Sequence, residues 1–281
     1  MQSLIDSDVL IYECGFAAEA GWQQAGFPQF DYVAEILDNR VANICAVVEA
    51  TQPPILYLTG KGNFRTDIAK RTPYKDRPSN KPFHYANIKA YIKCKYDYRE
   101  SVGMEADDLM AIDQTARGLD TIICTRDKDL RQVPGWVYSW ELGNQPSFGP
   151  HLVDAVGAIK LSADKKKLSG WGDKFFYAQC LMGDKVDSIP GLDKCGPVGA
   201  FNILQATTTS LEAFEAVLGA YRAVYGDADA ETELLEQGRL LNMSRRYENG
   251  KVLLWGFPNS NYEEWMDVNT KEITRTLIVL P

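Results

Sequence analysis

G-M-E-A-D-D-L-M-A-I-D runs from Gly103 to Asp113, and T-I-I-C-T-R-D-K-D-L-R-Q runs from Thr121 to Gln132. The first piece reads as the start of an amphipathic helix, Glu105 to Ala116. The second reads as a short apolar strand, Thr121 to Cys124, followed by a polar turn. Glu105, Asp107 and Asp108 stand at the helix start, and Asp127 and Asp129 just beyond the strand. Helix starts and strand ends are where an α/β sheet presents its working residues. Carboxylates gathered there repel one another unless a cation sits among them, and a pair of divalent metals is the usual answer.

Toward the N-terminus the same logic repeats. Residues 3–5 and 9–12 read as an apolar strand, S-L-I-D-S-D-V-L-I-Y, interrupted by Asp6 and Asp8. Polar residues inside such a run are costly unless they serve a site; otherwise they mark a solvated strand end. Residues 13–28 are rich in Ala, Gly and Gln and read as a loop or irregular helix. Phe30, Val33, Ile36, Leu37, Val41, Ile44, Val47 and Val48 then recur in steps of three and four, one face of a long helix. Pro53-Pro54 stops it, and Ile55 to Leu58 is a buried strand. The β-α-β order predicts a parallel sheet.

The segment Lys61 to Glu100 is different in kind. It carries eleven Lys and Arg against four Asp and Glu, a net +7 inside a chain whose total is −8, which leaves −15 for the remainder. Arg65, Lys70, Arg71, Lys75, Arg77, Lys81, Lys89, Lys93, Lys95 and Arg99 are interleaved with Phe64, Tyr74, Phe83, Tyr85, Tyr91, Tyr96 and Tyr98. Pro73, Pro78 and Pro82 exclude one continuous helix. Basic residues neutralise phosphates and aromatics stack on unpaired bases, so the segment suits a single nucleic-acid strand better than a duplex groove. The plainer alternatives are a solvated mixed-charge face and ordinary core packing of the rings.

On the C-terminal side, Trp136 to Trp140 reads as another short strand. Residues 141–172 are loop-rich and include Lys165-Lys166-Lys167. Asp173 to Met182 reads as a helix. G-D-K-V-D-S-I-P-G-L-D-K-C-G-P-V-G-A-F-N-I-L follows over residues 183–204. Asp184 and Asp187 add two carboxylates three residues apart. Gly191, Gly196, Pro197 at a first helical position and Gly199 outline a glycine-rich helical hairpin, whose backbone N–H groups can meet a phosphate. Leu211 to Tyr221 and Glu231 to Met243 read as helices whose only evident task is packing.

Composition narrows the chemistry. Hydrophobic content of 45% and charged content of 24% belong to an ordered globular chain of 281 residues. No apolar run approaches the roughly 18 residues that span a bilayer, and M-Q-S-L-I-D-S-D lacks the features of a secretory signal, so a cytoplasmic protein is expected. The six cysteines form no C-x-x-C pair, which argues against a zinc site or disulfide framework. Two histidines, His84 and His151, leave little for a Ser/His/Asp mechanism.

Together these stretches resemble the 5′-nuclease family, which includes flap endonucleases, the 5′-nuclease domain of bacterial DNA polymerase I and standalone phage 5′→3′ exonucleases; the last are the most similar. The matching pieces are Asp6, F-R at 64–65, Y-K-D-R at 74–77, G-M-E-A-D-D at 103–108, T-R-D-K-D-L-R-Q at 125–132 and G-D-K-V-D-S-I-P-G with its hairpin at 183–199. The resemblance implies an α/β fold with a mostly parallel central sheet flanked by helices, of PIN-like or 5′-nuclease type. It also implies a helical arch and a C-terminal helical region carrying a helix-hairpin-helix element. The expected division is a nuclease core over 1–172, with the arch at about 61–100, and a helical region over 173–281, with the hairpin at about 183–205.

Carried over by motif, Asp6, Glu105, Asp107, Asp108, Asp127, Asp129, Asp184 and Asp187 match the ligands of two divalent metals, Mg²⁺ or Mn²⁺. Asp6, Glu105 and Asp107 serve the first and Asp184 and Asp187 the outer one, with Asp127 and Asp129 between. Lys75 and Arg77 match the catalytic arch cations, and Arg65, Arg71, Tyr74, Gly191, Gly196 and Gly199 the DNA contacts. A K⁺ ion at the hairpin is also implied. The expected partners are DNA with 5′ ends or flaps and RNA–DNA hybrids. A monomer working beside a replication polymerase or single-strand-binding protein is expected. Two departures stand out: Thr59 takes the place of an acidic residue after the second strand, and the arch motif is the shortened Y-K-D-R.

Two metals about 3.5–4 Å apart can activate a water and stabilise a departing 3′ oxygen, and a carboxylate-rich, histidine-poor site suits Mg²⁺ or Mn²⁺. The expected activity is 5′→3′ exonuclease and flap endonuclease action with removal of RNA primers in phage DNA replication. A haloacid-dehalogenase-type phosphatase using Asp6 in D-S-D-V-L as nucleophile is one rival, and a non-catalytic DNA-binding module is another. A PIN-type ribonuclease shares the acidic-site logic without the hairpin.

Overall fold

The computed structural model describes residues 1–75 and 80–278. In chain order its elements begin β1 (Gln2–Asp6), α1 (Ser7–Gly21), α2 (Phe30–Val47), β2 (Ile55–Lys61), α3 (Arg65–Ile68), α4 (Tyr85–Lys95), β3 (Asp97–Val102), α5 (Ala106–Arg117), β4 (Thr121–Cys124) and β5 (Gly135–Ser139). They continue with β6 (Phe148–Val153), β7 (Ala158–Leu161), β8 (Leu168–Trp171), α6 (Gly172–Met182), α7 (Pro197–Leu204) and α8 (Ser210–Leu241). The last four strands are β9 (Tyr247–Glu248), β10 (Lys251–Leu253), β11 (Tyr262–Asp267) and β12 (Ile273–Leu277).

These elements form two units. The first holds Met1–Lys61, Arg77–Lys128 and Gly135–Leu152; the second holds Gly62–Asp76, Asp129–Pro134 and Val153–Pro281.

The first unit is built on a six-stranded sheet in the order β3-β2-β1-β4-β5-β6, and β1, β2, β3, β4 and β5 pair in parallel. The order reverses at β1: the chain passes to β2 and β3 on one side, then returns to β4 on the other. The crevice at the carboxyl ends of strands beside such a switch point is where open α/β sheets place ligands. Ile5 of β1 pairs with Leu56 of β2 and with Cys124 of β4, so Asp6 stands at that crevice.

Ile5, Leu10, Ile11, Leu37, Ile44, Leu56 and Ile122 are fully buried in one core, and each buried aliphatic side chain of this kind contributes roughly 1.5–3 kcal/mol. Leu10, Ile11, Cys14 and Ala18 form a helical stripe in that core. The strand expected over 9–12 and the first part of 13–28, expected as a loop or irregular helix, are therefore one helix, α1, which ends at Gly21. Its start is set by Asp6, whose side chain accepts the Val9 N–H and turns the chain out of β1.

Residues 84–102 also depart from expectation. Ile88 and Ile92 anchor α4 in the same core, and β3 closes one edge of the sheet. This part of the basic segment is fixed structure of the first unit.

In the second unit α6 packs on α7 and α8. The Tyr221 hydroxyl donates to the Cys180 carbonyl at 2.6 Å, a buried link between α8 and α6. The loop-rich stretch 141–172 contains β6 and the antiparallel hairpin β7–β8, and the expected helical tail ends in an antiparallel sheet, β12-β11-β10-β9.

Candidate metal centre

In the first unit Asp6 is 2% exposed. Its Oδ1 accepts the Val9 N–H at 3.3 Å and its Oδ2 accepts the Thr125 hydroxyl at 2.7 Å. Thr125 is the residue after β4, so this bond ties the ends of two neighbouring strands. The Thr125 hydroxyl oxygen also accepts the Asp127 N–H at 2.9 Å, which fixes the turn that carries Asp127.

Burial and then the charge of Asp8 push the Asp6 carboxyl up to about 6, against the pull of Thr125 and Val9. Asp8 is itself raised. Burial is the main cause and Glu105 adds to it, while Thr59 and Lys89 oppose. Asp6, Asp8 and Glu105 thus form a chain of electrostatically coupled carboxyls.

Glu105 and Asp108 form a capping box at the start of α5: the Glu105 side chain accepts the Asp108 N–H, and the Asp108 side chain accepts the Glu105 N–H. Asp108 is fully buried, whereas Glu105 and Asp107 are half-buried. The helix dipole favours carboxylates at the first turns of α1 and α5, so part of this acidity is stabilised by the fold itself.

Thr59 joins the two helix starts. Its N–H donates to Asp8 at 3.0 Å, its hydroxyl oxygen accepts the Ala106 N–H at 2.9 Å, and its carbonyl accepts the Lys89 ammonium at 2.7 Å. Asp8, Thr125 and Lys89 stand beside the predicted acids without having been predicted themselves. The D-S-D spacing carried the signal for Asp8. Thr125 opens the T-R-D-K-D-L-R-Q motif and Lys89 lies in the basic segment, but the local pattern gives neither a place beside the acids.

In the second unit Asp129 is 6% exposed and accepts the Gln179 side-chain N–H of α6 at 2.5 Å. Asp184 and Ile189 exchange two backbone bonds at 2.8 Å, and Asp184 Oδ1 accepts the Val186 N–H at 2.7 Å, which closes the loop that presents Asp187. The Tyr74 hydroxyl donates to Asp187 at 3.3 Å, the Lys75 ammonium lies 3.7 Å from the same oxygen, and the Lys75 N–H donates to the Asp187 carbonyl at 3.2 Å. The Y-K part of the basic segment is therefore laid on the G-D-K-V-D loop. Arg77 lies outside the described residues.

Three expected DNA contacts are corrected. Arg65 has no exposed surface: its Nε donates to the Leu240 carbonyl at 2.9 Å and its Nη2 to the Asn242 carbonyl at 2.7 Å, holding the carbonyls at the end of α8. Tyr74 is buried, with its hydroxyl on Asp187. The Gly191 N–H, expected to face a phosphate, donates to the Gln237 side chain at 2.9 Å. Arg71 pairs with Glu233 at 2.9 Å and Asp193 at 3.4 Å. Gly196 is exposed as the N-cap of α7, with Pro197 at the first helical position as expected, and Gly199 lies within that helix.

Among the described residues no three acidic, histidine or cysteine side chains stand in a ready-made cation cage. The donor chemistry nevertheless fits a hard divalent ion: the crowded groups at the switch point are carboxylates, without sulfur or imidazole. A cation there would offset both the burial and the neighbouring charges that raise Asp6 and Asp8. The phosphatase alternative fits less well, because Asp6 is buried and held on both oxygens, a poor posture for in-line attack on phosphorus.

No family model matches the chain. A DNA polymerase I from Rhizobium leguminosarum is 30% identical over 112 residues, 38% of this chain but only 10% of that protein's length. Among solved structures, the bacteriophage T5 5′-exonuclease with bound zinc superposes with a TM-score of 0.59 at 16% identity, covering 86% of this chain and 90% of that one. A bacteriophage T5 flap endonuclease, in a pseudo-enzyme–product complex with DNA and metal ions, gives 0.51 at 15% identity over 86% and 95%. At these identities the likeness speaks for the fold. The chain has the 5′-nuclease fold of the bacteriophage T5 enzymes, a parallel sheet with its crowded carboxyls at the strand switch point.

Proposed function

We propose that this protein is a divalent-metal-dependent 5′→3′ exonuclease with flap endonuclease activity, hydrolysing DNA phosphodiesters from a 5′ end and removing RNA primers during phage DNA replication. The observation that carries this reading is the pair of desolvated carboxyls Asp6 and Asp8 gathered with Glu105 where β1 ends and α1 and α5 begin, with Asp8 bonded to Thr59 of β2. The fold shared with the T5 nucleases supports it.

In the first unit Asp6, Glu105 and Asp107 would hold one Mg²⁺ or Mn²⁺, with Asp127 on its Thr125-set turn. In the second, Asp129, Asp184 and Asp187 are the candidate ligands of another. Bound there, such ions supply an activated water and neutralise charge on the leaving oxygen. The chain's own groups do the rest. The Thr125 hydroxyl favours the ionised form of Asp6, Thr59 aligns the starts of α1 and α5, and Lys75 offers a cation for a phosphate oxygen.

The finer reading has the protein act as a monomer in the cytoplasm of a bacterial host, beside a polymerase or single-strand-binding protein, with K⁺ at the Gly191–Gly196 turn. No helix among the described residues is long and apolar enough to cross a membrane.

The test is digestion of 5′-labelled duplex, nicked, flapped and RNA-primed substrates with product sizing, in Mg²⁺, in Mn²⁺ and in EDTA. Metal-dependent release of short 5′ products, abolished by Asp107→Ala, is the expected result. Inactivity with both metals, or cleavage that persists in EDTA, overturns the reading.

A further inference from the structure

We propose that Asp8, from the first turn of α1, supplies the metal-ligating carboxylate that the end of β2 lacks. This rests on the metal-dependent reading above and extends it to a residue outside the motif-derived set.

The end of β2 has no acidic side chain and no room for one at its next position. At Thr59 the hydroxyl oxygen is engaged by the Ala106 N–H at 2.9 Å. At Gly60 an added Cβ would lie 2.1 Å from the Ser101 carbonyl oxygen, so any side chain there collides with the backbone of β3. What the strand end offers is backbone. The Thr59 N–H donates to Asp8 Oδ2 at 3.0 Å, with Oδ1 at 3.3 Å, and docks the carboxylate of α1 onto the strand.

This placement is fixed from several sides. The Lys89 ammonium holds the Thr59 carbonyl at 2.7 Å and Glu100 at 3.0 Å, which pins the strand end against α4 and β3. Ala106, held by the Thr59 hydroxyl, is the first residue of α5 and follows Glu105 directly. Thr59 therefore sets the spacing between the Asp8 and Glu105 helix starts through two bonds of its own.

Asp8 follows Asp6 by two residues and shares Thr59 with Ala106, the residue after Glu105, so the three carboxyls gather around one threonine. A carboxylate whose only task was to cap a helix start would gain nothing from such neighbours. One that shares a divalent cation with them would offset the repulsion, as oxygen ligands of Mg²⁺ and Mn²⁺ do.

The experiment measures binding of Mn²⁺ alone, without DNA, by the electron paramagnetic resonance signal of the free ion and by calorimetry. The full chain is compared with Asp8→Asn and with Asp8→Asn/Thr59→Asp. The double variant moves the carboxylate from α1 to the end of β2, where it still accepts the Ala106 N–H. The expected result is a loss of Mn²⁺ affinity of about tenfold or more in Asp8→Asn at an unchanged melting temperature, with recovery in the double variant. If Asp8→Asn melts early, Asp8→Ser, which keeps a helix-start residue in the same turn, gives the same comparison. Binding by Asp8→Asn equal to that of the natural chain, or no recovery in the double variant, overturns the proposal. Absence of Mn²⁺ binding by the natural chain overturns the metal-dependent reading as well, so the two failures are told apart.

Discussion

The Thr125 hydroxyl is the one side-chain donor to Asp6 among the described residues, and it also receives the Asp127 N–H. Replacing it with valine keeps the shape of the side chain and removes both bonds. A hydrogen bond to a charged group is worth about 1.5–3 kcal/mol, so Thr125→Val is expected to lose that much stability in urea titrations at pH 8. Its Mn²⁺ affinity should fall by about 10–100-fold, the usual cost of losing a group that orients a ligand. Unchanged affinity would remove Thr125 from the site.

Asp38 gives a cleaner pH effect, away from the metal centre. Burial pushes its carboxyl up, but hydrogen bonds from Lys95, Tyr96 and Tyr91 outweigh it and hold the group below its ordinary value. A carboxyl lowered in the folded state binds fewer protons there than in the unfolded chain. Its stabilisation is then present above the unfolded value of about 3.9 and is lost as pH falls through the lower folded one. Asp38→Asn should therefore melt below the natural chain at pH 7, with the gap closing under strongly acid conditions. A constant gap would refute the assignment.

Residues were legible from the sequence where local spacing fixed their role. Glu105 and Asp127 stand by element ends that the local pattern predicted, whereas Asp6, read as an interruption within a longer strand, ends β1 and caps α1. Arg65 was not legible, because its partners are carbonyls 175 and 177 residues further along the chain. No local pattern shows that a basic residue will be buried by such a partner.

At the scale of elements, strands that carry little apolar alternation were the ones hidden. β3 reads D-Y-R-E-S-V and buries only Ser101. It is a strand because β2 offers it a parallel partner, and its charges suit an edge that must not pair further. β1, β2 and β4, buried through most of their lengths, were legible as apolar runs.

The long helix α8 shows a different kind of element. It is interrupted at Gly226, with φ 78° and ψ 167°, a backbone region essentially reserved for glycine. Gly226→Ala raises helix propensity yet is expected to destabilise the protein by about 1–3 kcal/mol, read from thermal and urea melts. A rise in melting temperature would mean that the chain accepts an unbroken helix there. The two helical runs expected over 211–221 and 231–243 leave a gap between them, and Gly226 lies in that gap.

For the whole molecule, the decisive quantity is how much of the basic segment is free to meet DNA. By count it carries +7. Yet Lys89 and Lys93 pair with Glu100, Lys95 with Asp38, Arg99 with Asp113, and Arg71 with Glu233 and Asp193, while Lys75 lies beside Asp187 and Arg65 is buried. Lys61, Lys70 and Lys81 form no ion pair among the described residues, and Lys81 rests over the Tyr85 ring at 4.5 Å. Each phosphate neutralised by a free cation steepens the dependence of log K on log salt by about 0.9 on duplex DNA. Seven available charges would give a slope of about −6, and three or four a slope of about −3.

The smaller slope is expected, measured by fluorescence anisotropy with a 5′-flapped duplex across a KCl series in Ca²⁺-containing buffer. Two substitutions separate the causes. Lys81→Ala should flatten the slope by about one, whereas Lys95→Ala, whose charge is already matched by Asp38, should leave it unchanged. A slope near −6, flattened by both substitutions, would mean that the ion pairs of the basic segment open when DNA binds. The net +7 would then be the working charge of the molecule.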